Sequence, residues 1–241
     1  MIIPRCLRME FEMTPALAVE RESEFSLAQA TPVVFVVDDD VSVRESLEGV
    51  IDFAGLRAET YACAQDFLGR PRAMVPNCLV LDVSLPDLSG LDLQNLIASE
   101  RTDTPIIFIT NQSDVATTVR AMKAGAVEFL TKPFDDQVML DAIRHAIERS
   151  RVALREEAAM QSIRDRYASL TSREREVMTL VVTGLLNKQV GGELGICELT
   201  VKMHRRQVMR KMKAGSLAEL IGLAWKLHPD RVPGAALKSV A

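Results

Sequence analysis

Cysteine and histidine are too few and too scattered to frame a disulfide scaffold or a zinc site. Cys6, Cys63, Cys78 and Cys197 form no CxxC pair, and His145, His204 and His228 lie far apart. That spacing argues for incidental or buried thiols in a reducing compartment. Long apolar runs are missing as well, since no stretch reaches the length of a membrane span. An AQA at residues 28–30 mimics a signal-cleavage site, but no apolar segment precedes it. The expectation is a cytoplasmic protein with no membrane partner. Aromatic residues are sparse, at 5%, yet apolar residues make up 48% of the 241, enough for substantial cores.

What is present divides the chain in two. Overall it carries 29 basic and 33 acidic residues. Residues 166–241 hold 13 Lys/Arg against 6 Asp/Glu, while the first 165 hold 16 against 27. An acidic front and a basic back predict two modules with different partners, the basic one a candidate for nucleic acid.

Residues 1–31 show no sustained period and are expected to be a disordered extension, with Met9 and Met13 as alternative starts. Regular patterning begins with VVFVV at 33–37, a β-branched run that fits a parallel strand buried on both faces. Ser42 and Glu45 have capping-box spacing for a helix ending at Gly55. Strand-like AETYA, CLVLD (78–82), PIIFIT (105–110) and EFLTKP alternate with helix-like AQDFLGR, GLDLQNLIAS and DVATTVRAMKAGA. Strand and helix alternate five times, which predicts an α/β doubly wound parallel sheet. From Asp135 a helix runs on without Gly or Pro, expected to serve as a linker. Leu140, Ile147 and Leu154 are seven apart, a spacing that allows a short helix–helix contact before Gln161 breaks it. After LTSREREVM, with Thr171 and Glu174 as a capping box, four short helices are expected at 172–183, 187–194, 198–213 and 216–227. Tight turns between short helices read as a helix-turn-helix unit.

Chemistry concentrates at the strand ends. Asp38 and Asp39 close the first strand, Asp82 the third, Thr110 the fourth and Lys132 the fifth, all on one edge of a parallel sheet. A lone strand-end aspartate is most simply a helix cap. A set of three acids, a hydroxyl and an ammonium suits a Mg²⁺ site, with a carboxylate positioned to attack phosphorus.

VVDDD, LVLDVSLPDLSG, IFIT and FLTKPF resemble the signature of receiver domains of two-component response regulators. LTSREREVMTLVVTGLLNKQVGGELGICELTVKMHRRQVMRKM is similar to the LuxR-type helix-turn-helix, and together the two resemble the FixJ/NarL family over about residues 32–228. The resemblance implies a flavodoxin-like five-stranded parallel sheet of order 2-1-3-4-5, a linker helix and an all-α four-helix domain. It places a receiver at 32–148, a linker helix at 149–168, a LuxR-type domain at 169–228 and a flexible tail at 229–241. It makes Asp82 the phosphoacceptor, Asp38, Asp39 and the Val83 carbonyl further magnesium ligands, and Thr110 and Lys132 the phosphoryl contacts. Phe129 falls at the aromatic switch position, with an ordinary core ring as the alternative, and Lys132–Pro133 is expected to be cis. Asn111 departs from the small residue usual beside the threonine, and either faces outward or alters phosphoryl lifetime.

For the basic module, the resemblance assigns base reading to Lys202, Met203 and Arg206. Lys188, Arg205, Arg210 and Lys211 are expected on DNA as well, with a merely solvated basic face as the alternative for any single residue. Val201, Val208 and Met212 would share the inward face, and Met209 would lie with the DNA-facing residues. Gly191 and Gly192, where Ala is usual, and Cys197, where a capping Ser is usual, predict a marginally stable domain, at about 1 kcal/mol each. The implied partners are a sensor histidine kinase, double-stranded DNA, RNA polymerase and, on phosphorylation, a second copy of the chain. Such a protein is a transcription regulator and no classified enzyme, beyond its own phosphotransfer and slow autodephosphorylation. The alternative is a phosphate sink whose weakened helix-turn-helix no longer reads DNA.

Overall fold

The computed structural model describes residues 30–98, 101–112 and 114–228. The expected N-terminal extension and C-terminal tail lie outside them, apart from residues 30 and 31. Among the described residues no helix is long and apolar enough to cross a membrane.

Five strands form one parallel sheet: β1 (Val33–Val37), β2 (Arg57–Tyr61), β3 (Asn77–Asp82), β4 (Ile106–Thr110) and β5 (Glu128–Thr131). Their order is β2-β1-β3-β4-β5, as expected. Helices α1 (Val41–Phe53), α2 (Ala64–Leu68), α3 (Gly90–Ile97), α4 (Val115–Lys123) and α5 (Asp136–Ala168) follow the strands in turn.

The period-two geometry of β1 explains its unbroken apolar run. Val33, Phe35 and Val37 point into a core shared with α2 and α3 through Phe67, Leu91 and Leu93. Val34 and Val36 point into the opposite core, shared with α1 and α5 through Leu47, Ile51, Met139 and Ile143. Both faces are covered, so alternation has no polar side to show. Each fully buried side chain of this kind contributes about 1.5–3 kcal/mol.

Some local expectations need correction. The N-cap of α1 is Asp40, whose carboxylate accepts from the Ser42 amide at 2.8 Å; no Ser42–Glu45 box forms. An acidic cap also sits well at the positive end of the helix dipole. Gly55 and Gly125 take positive φ just beyond α1 and α4, as stop signals should. Of the residues spaced by seven on α5, Ile147 is buried against the sheet, Leu154 is buried and Leu140 is half-buried.

The chain forms two compact units dividing after Arg155, within α5. That division lies beyond residue 148 because Ser150 is buried in the first unit. Its hydroxyl accepts from the Asn77 amide at 3.0 Å and donates to the Asp103 carbonyl. The second unit gathers Ile163 from the end of α5 with α6 (Ser172–Val182), α7 (Asn187–Leu194), α8 (Glu198–Met212) and α9 (Leu217–Leu227). The Thr171/Glu174 capping box is present. Ser216 caps α9 by accepting from the Glu219 amide, while the Glu219 carboxylate turns to the Gly215 amide. The α7–α8 turn passes through Gly195 in the left-handed region, with φ 64°.

Gly191 has a structural reason. A Cβ there would meet the Ile196 carbonyl oxygen at 2.7 Å, inside contact distance, so the turn as built requires glycine. Gly192 faces open space, and only there does the propensity cost stand unopposed. Cys197 supplies no side-chain cap; its Sγ lies 3.1 Å from Thr200 Oγ1.

Candidate functional site

Parallel strands deliver their last residues to one edge, and there the acids meet. Asp38, just past β1, is fully buried, and Asp82 closes β3 nearly so, while Asp39 is exposed. Carboxylate oxygens of all three lie within 4.8 Å of one another. Lys132, just past β5, reaches across: its Nζ donates to Asp38 Oδ2 at 2.6 Å and to Asp82 Oδ2 at 2.7 Å. The Asp40 amide donates to Asp38 Oδ1, and the Ser84 amide to Asp82 Oδ1, both at 2.9 Å. Each buried carboxylate therefore has one oxygen fixed by backbone and the other held by the ammonium. The Lys132–Pro133 bond is cis.

Electrostatics follow from burial. Desolvation pushes the Asp38 carboxyl above its usual range, against the opposing pull of Lys132 and the Asp40 amide. Burial also works against a charged Lys132, but the hydrogen bonds and charges of Asp38 and Asp82 outweigh it, and its pKa is raised. The ammonium is thus locked in its charged form between two acids.

Thr110 is buried at the end of β4. Its hydroxyl donates to the Gln112 carbonyl at 2.9 Å and accepts from the Gln112 amide at 3.2 Å, so it is engaged with its own loop. Phe129 is half-buried and tilted against Phe108, with centroids 6.1 Å apart. Asn111 is exposed and lines a cavity of about 450 Å³ beside Lys132, together with Ser42, Ser46, Leu47 and Phe134. The Val83 carbonyl accepts from the Gly90 amide at 3.0 Å, leaving one lone pair for another partner.

Three supporting residues escape sequence reasoning. Arg44, on α1, donates from one guanidinium nitrogen to the carbonyls of Asp38 and Asp39, at 2.7 and 3.0 Å, and so holds the loop that carries the acidic pair. Asp87 accepts from the Ala64 and Gln65 amides at 3.2 and 3.0 Å, tying the β3–α3 loop to the start of α2. Gly90 lets α3 approach the backbone of Asp82; any Cβ there would overlap the Asp82 carbonyl oxygen. Only the Gly in LPDLSG hints at a close approach. The other two partners are distant in sequence or are backbone atoms, which no side-chain pattern marks.

In the second unit, Val201, Val208 and Met212 face the core as expected. Lys188, Lys202, Met203, Arg206 and Arg210 are exposed. Lys202 pairs with Glu198 at 2.9 Å, a solvent-screened contact of small worth. Two expected DNA contacts are otherwise engaged. Lys211 donates to buried Glu174 at 2.6 Å and to the Ser169 carbonyl at 3.1 Å, tying α8 to the start of α6. Half-buried Arg205 donates to Asn187 Oδ1 at 3.1 Å, bracing α8 against α7. Met209 packs against the core instead of joining the outward face, because the helix turns it toward Val208 and Met212.

Residues 34–144 match the family described as response regulator receiver domain, and residues 168–224 match bacterial regulatory proteins, luxR family. The chain is 47% identical over 197 residues to nodulation protein W of Bradyrhizobium diazoefficiens, covering 82% of this chain and 87% of that protein. The chain belongs to the response regulators. This regulator is also 39% identical over 193 residues to the transcriptional regulatory protein FixJ of the same species, covering 80% of this chain and 94% of that one. Among solved structures it is similar to the response regulator StyR, at 46% identity and a TM-score of 0.72, covering 82% of this chain and all of the other. The regulator therefore joins a receiver domain to a LuxR-type DNA-binding domain and acts in transcription regulation.

The receiver's donor set fits a hard divalent cation. Mg²⁺ takes oxygen ligands, usually one or two carboxylates with several waters, and Asp38, Asp39 and Asp82 supply such a set at a partly open edge.

Proposed function

We propose that Asp82 accepts a phosphoryl group from a sensor histidine kinase and that the modified regulator pairs, binds specific duplex DNA and engages RNA polymerase. The observation that carries this reading is the meeting of Asp38, Asp39 and Asp82 at one sheet edge with Lys132 bridging two of them. Asp38, Asp39, Asp82 and the Val83 carbonyl would hold Mg²⁺, which when bound neutralises charge on the acids and the incoming phosphoryl oxygens. The Ser84 amide orients the Asp82 carboxylate for attack on phosphorus as the P–N bond to the kinase's phosphohistidine breaks and the imidazole leaves, and Lys132 shifts from Asp82 Oδ2 to the new phosphoryl oxygens. Thr110 exchanges Gln112 for the phosphoryl group. Phe129, packed only halfway in, then turns inward, and the α4–β5–α5 face changes. Exposed Val115, Val119 and Met122, at helical spacing on α4, support that face as the pairing surface. The protein acts inside the cell as a switch, with its own phosphotransfer and slow hydrolysis as its only chemistry, and Asn111 beside Lys132 tunes the lifetime of the phosphorylated state.

The test uses the full chain with acetyl phosphate and Mg²⁺, following intact mass, oligomeric state and retention of duplex DNA. The expected result is one phosphoryl adduct, a shift to dimer and a gain in sequence-specific retention, all lost in Asp82→Asn. An adduct that persists in Asp82→Asn sinks the site assignment. An adduct with no gain in specific retention supports the phosphate-sink reading.

Magnesium affinity should depend on pH in a stated direction. The Asp38 carboxyl titrates above its ordinary value of 3.8, so its protonated form persists further up the acid range. Protons and Mg²⁺ then compete, and affinity is expected to fall as pH drops through that raised pKa. Without metal the sign reverses: the protonated carboxyl is the better-tolerated buried form, and its contribution to stability is lost as pH rises through the folded pKa. Calorimetric Mg²⁺ titrations across the acid range check this; an affinity that is flat with pH there would rule out Asp38 as a ligand.

A further inference from the structure

The water-facing side of α8 carries two large apolar side chains that its core packing does not explain. Leu199 is 75% exposed and Met203 56% exposed, whereas Val201, Val208 and Met212 on the inward face are at most 1% exposed. Leu199 and Met203 are four residues apart and so stand one above the other on the helix. Lys202 and Arg206 follow Leu199 at three and seven residues and share that face. The result is an apolar pair flanked by two cations.

Those cations select the occupant. Residues 166–241 carry 13 basic against 6 acidic residues, which complements a polyanion better than the apolar patch of a protein partner. On the floor of a DNA major groove the apolar feature is the C5-methyl of thymine, while Lys and Arg donate to guanine O6 and N7. Four helical residues rise about 6 Å, less than two base-pair steps of 3.4 Å. The apolar pair therefore covers neighbouring base pairs, and Arg206, about 10.5 Å along the helix from Leu199, extends the span to about three steps.

We propose that Leu199 and Met203 together read a thymine methyl, within about three base pairs of a guanine met by Lys202 or Arg206. Leu199 thus becomes a specificity-determining residue beside the expected base readers. This rests on the DNA-binding reading above and adds the base that the apolar pair selects.

The test starts from the acetyl-phosphate-treated full chain and a pool of randomised duplexes, from which bound sequences are enriched. Each thymine of the enriched site is then replaced singly by deoxyuridine, which removes only the methyl. The expected result is one position per half-site where this costs about fourfold in affinity (about 0.8 kcal/mol). In the Leu199→Ala, Met203→Ala double variant, thymine and uracil duplexes should bind equally. The preference is a ratio taken within one protein, so a general loss of folded fraction cancels. Enriched sites with no uracil-sensitive thymine overturn the proposal and leave DNA binding standing, as does a double variant that keeps the full thymine preference. A pool in which no sequence is enriched overturns the proposal and specific DNA reading together.

Discussion

Replacing Lys132 with Met is expected to lower the receiver's unfolding free energy by about 3–5 kcal/mol in metal-free buffer. The Lys132 side chain is 10% exposed, and those of its two partners, Asp38 and Asp82, are 0% and 5% exposed. Removing the ammonium leaves two desolvated carboxylates facing each other with no cation between them. Either they stay charged and repel, or at least one takes up a proton; both outcomes oppose folding at neutral pH. The raised pKa of Lys132 sets the range of the effect: its contribution is complete below its ordinary value of 10.5 and is lost only as pH rises through the higher folded value. Added Mg²⁺ is expected to recover much of the loss, because the cation takes over the neutralising role. Urea unfolding of full-length protein and variant, with chelator and with Mg²⁺, measures both effects. A variant as stable as the parent in chelator would show that the ammonium is not what makes the acidic cluster tolerable.

Gly90→Ala should damage the same site from the backbone side. Its Cβ would overlap the Asp82 carbonyl oxygen and come within 3.1 Å of the Val83 Cα. Neither is a side-chain end that can swing away, so either α3 or the end of β3 must move. Overpacking of this kind costs about 1–3 kcal/mol, and the better helix propensity of Ala, at most about 1 kcal/mol, offsets only part of it. Because the displaced atoms are the backbone of the phosphoacceptor, labelling by acetyl phosphate is expected to slow together with the loss of stability. Unchanged unfolding and an unchanged labelling rate would mean that the approach of α3 to Asp82 is slack.

Much of this protein is legible in its amino-acid sequence. The unbroken, β-branched VVFVV run and the CLVLD run read as strands covered on both faces, and their alternation with helical segments leads to a parallel sheet whose C-terminal edge gathers Asp38, Asp82, Thr110 and Lys132. Capping signals of local origin, such as Thr171 with Glu174, are readable because both partners lie within one helical turn. The acidic front and basic back already separate the two working modules.

Only the tertiary structure decided the matters that depend on which atoms pack against a residue, whether those atoms lie far along the chain or belong to a nearby backbone. Lys211 reads in the sequence as one more cation on a basic face, yet the crossing of α8 and α6 sets it on buried Glu174, 37 residues away. Arg44 reads as an ordinary helix residue, and its guanidinium holds the two carbonyls of the acidic loop, atoms no side-chain pattern reports. Gly191 reads as a weakness in α7, but the Ile196 carbonyl occupies the space a Cβ would need, whereas Gly192 beside it meets nothing. Periodicity fixes which face of an element is apolar; what stands opposite that face, and how closely, is set by packing between elements.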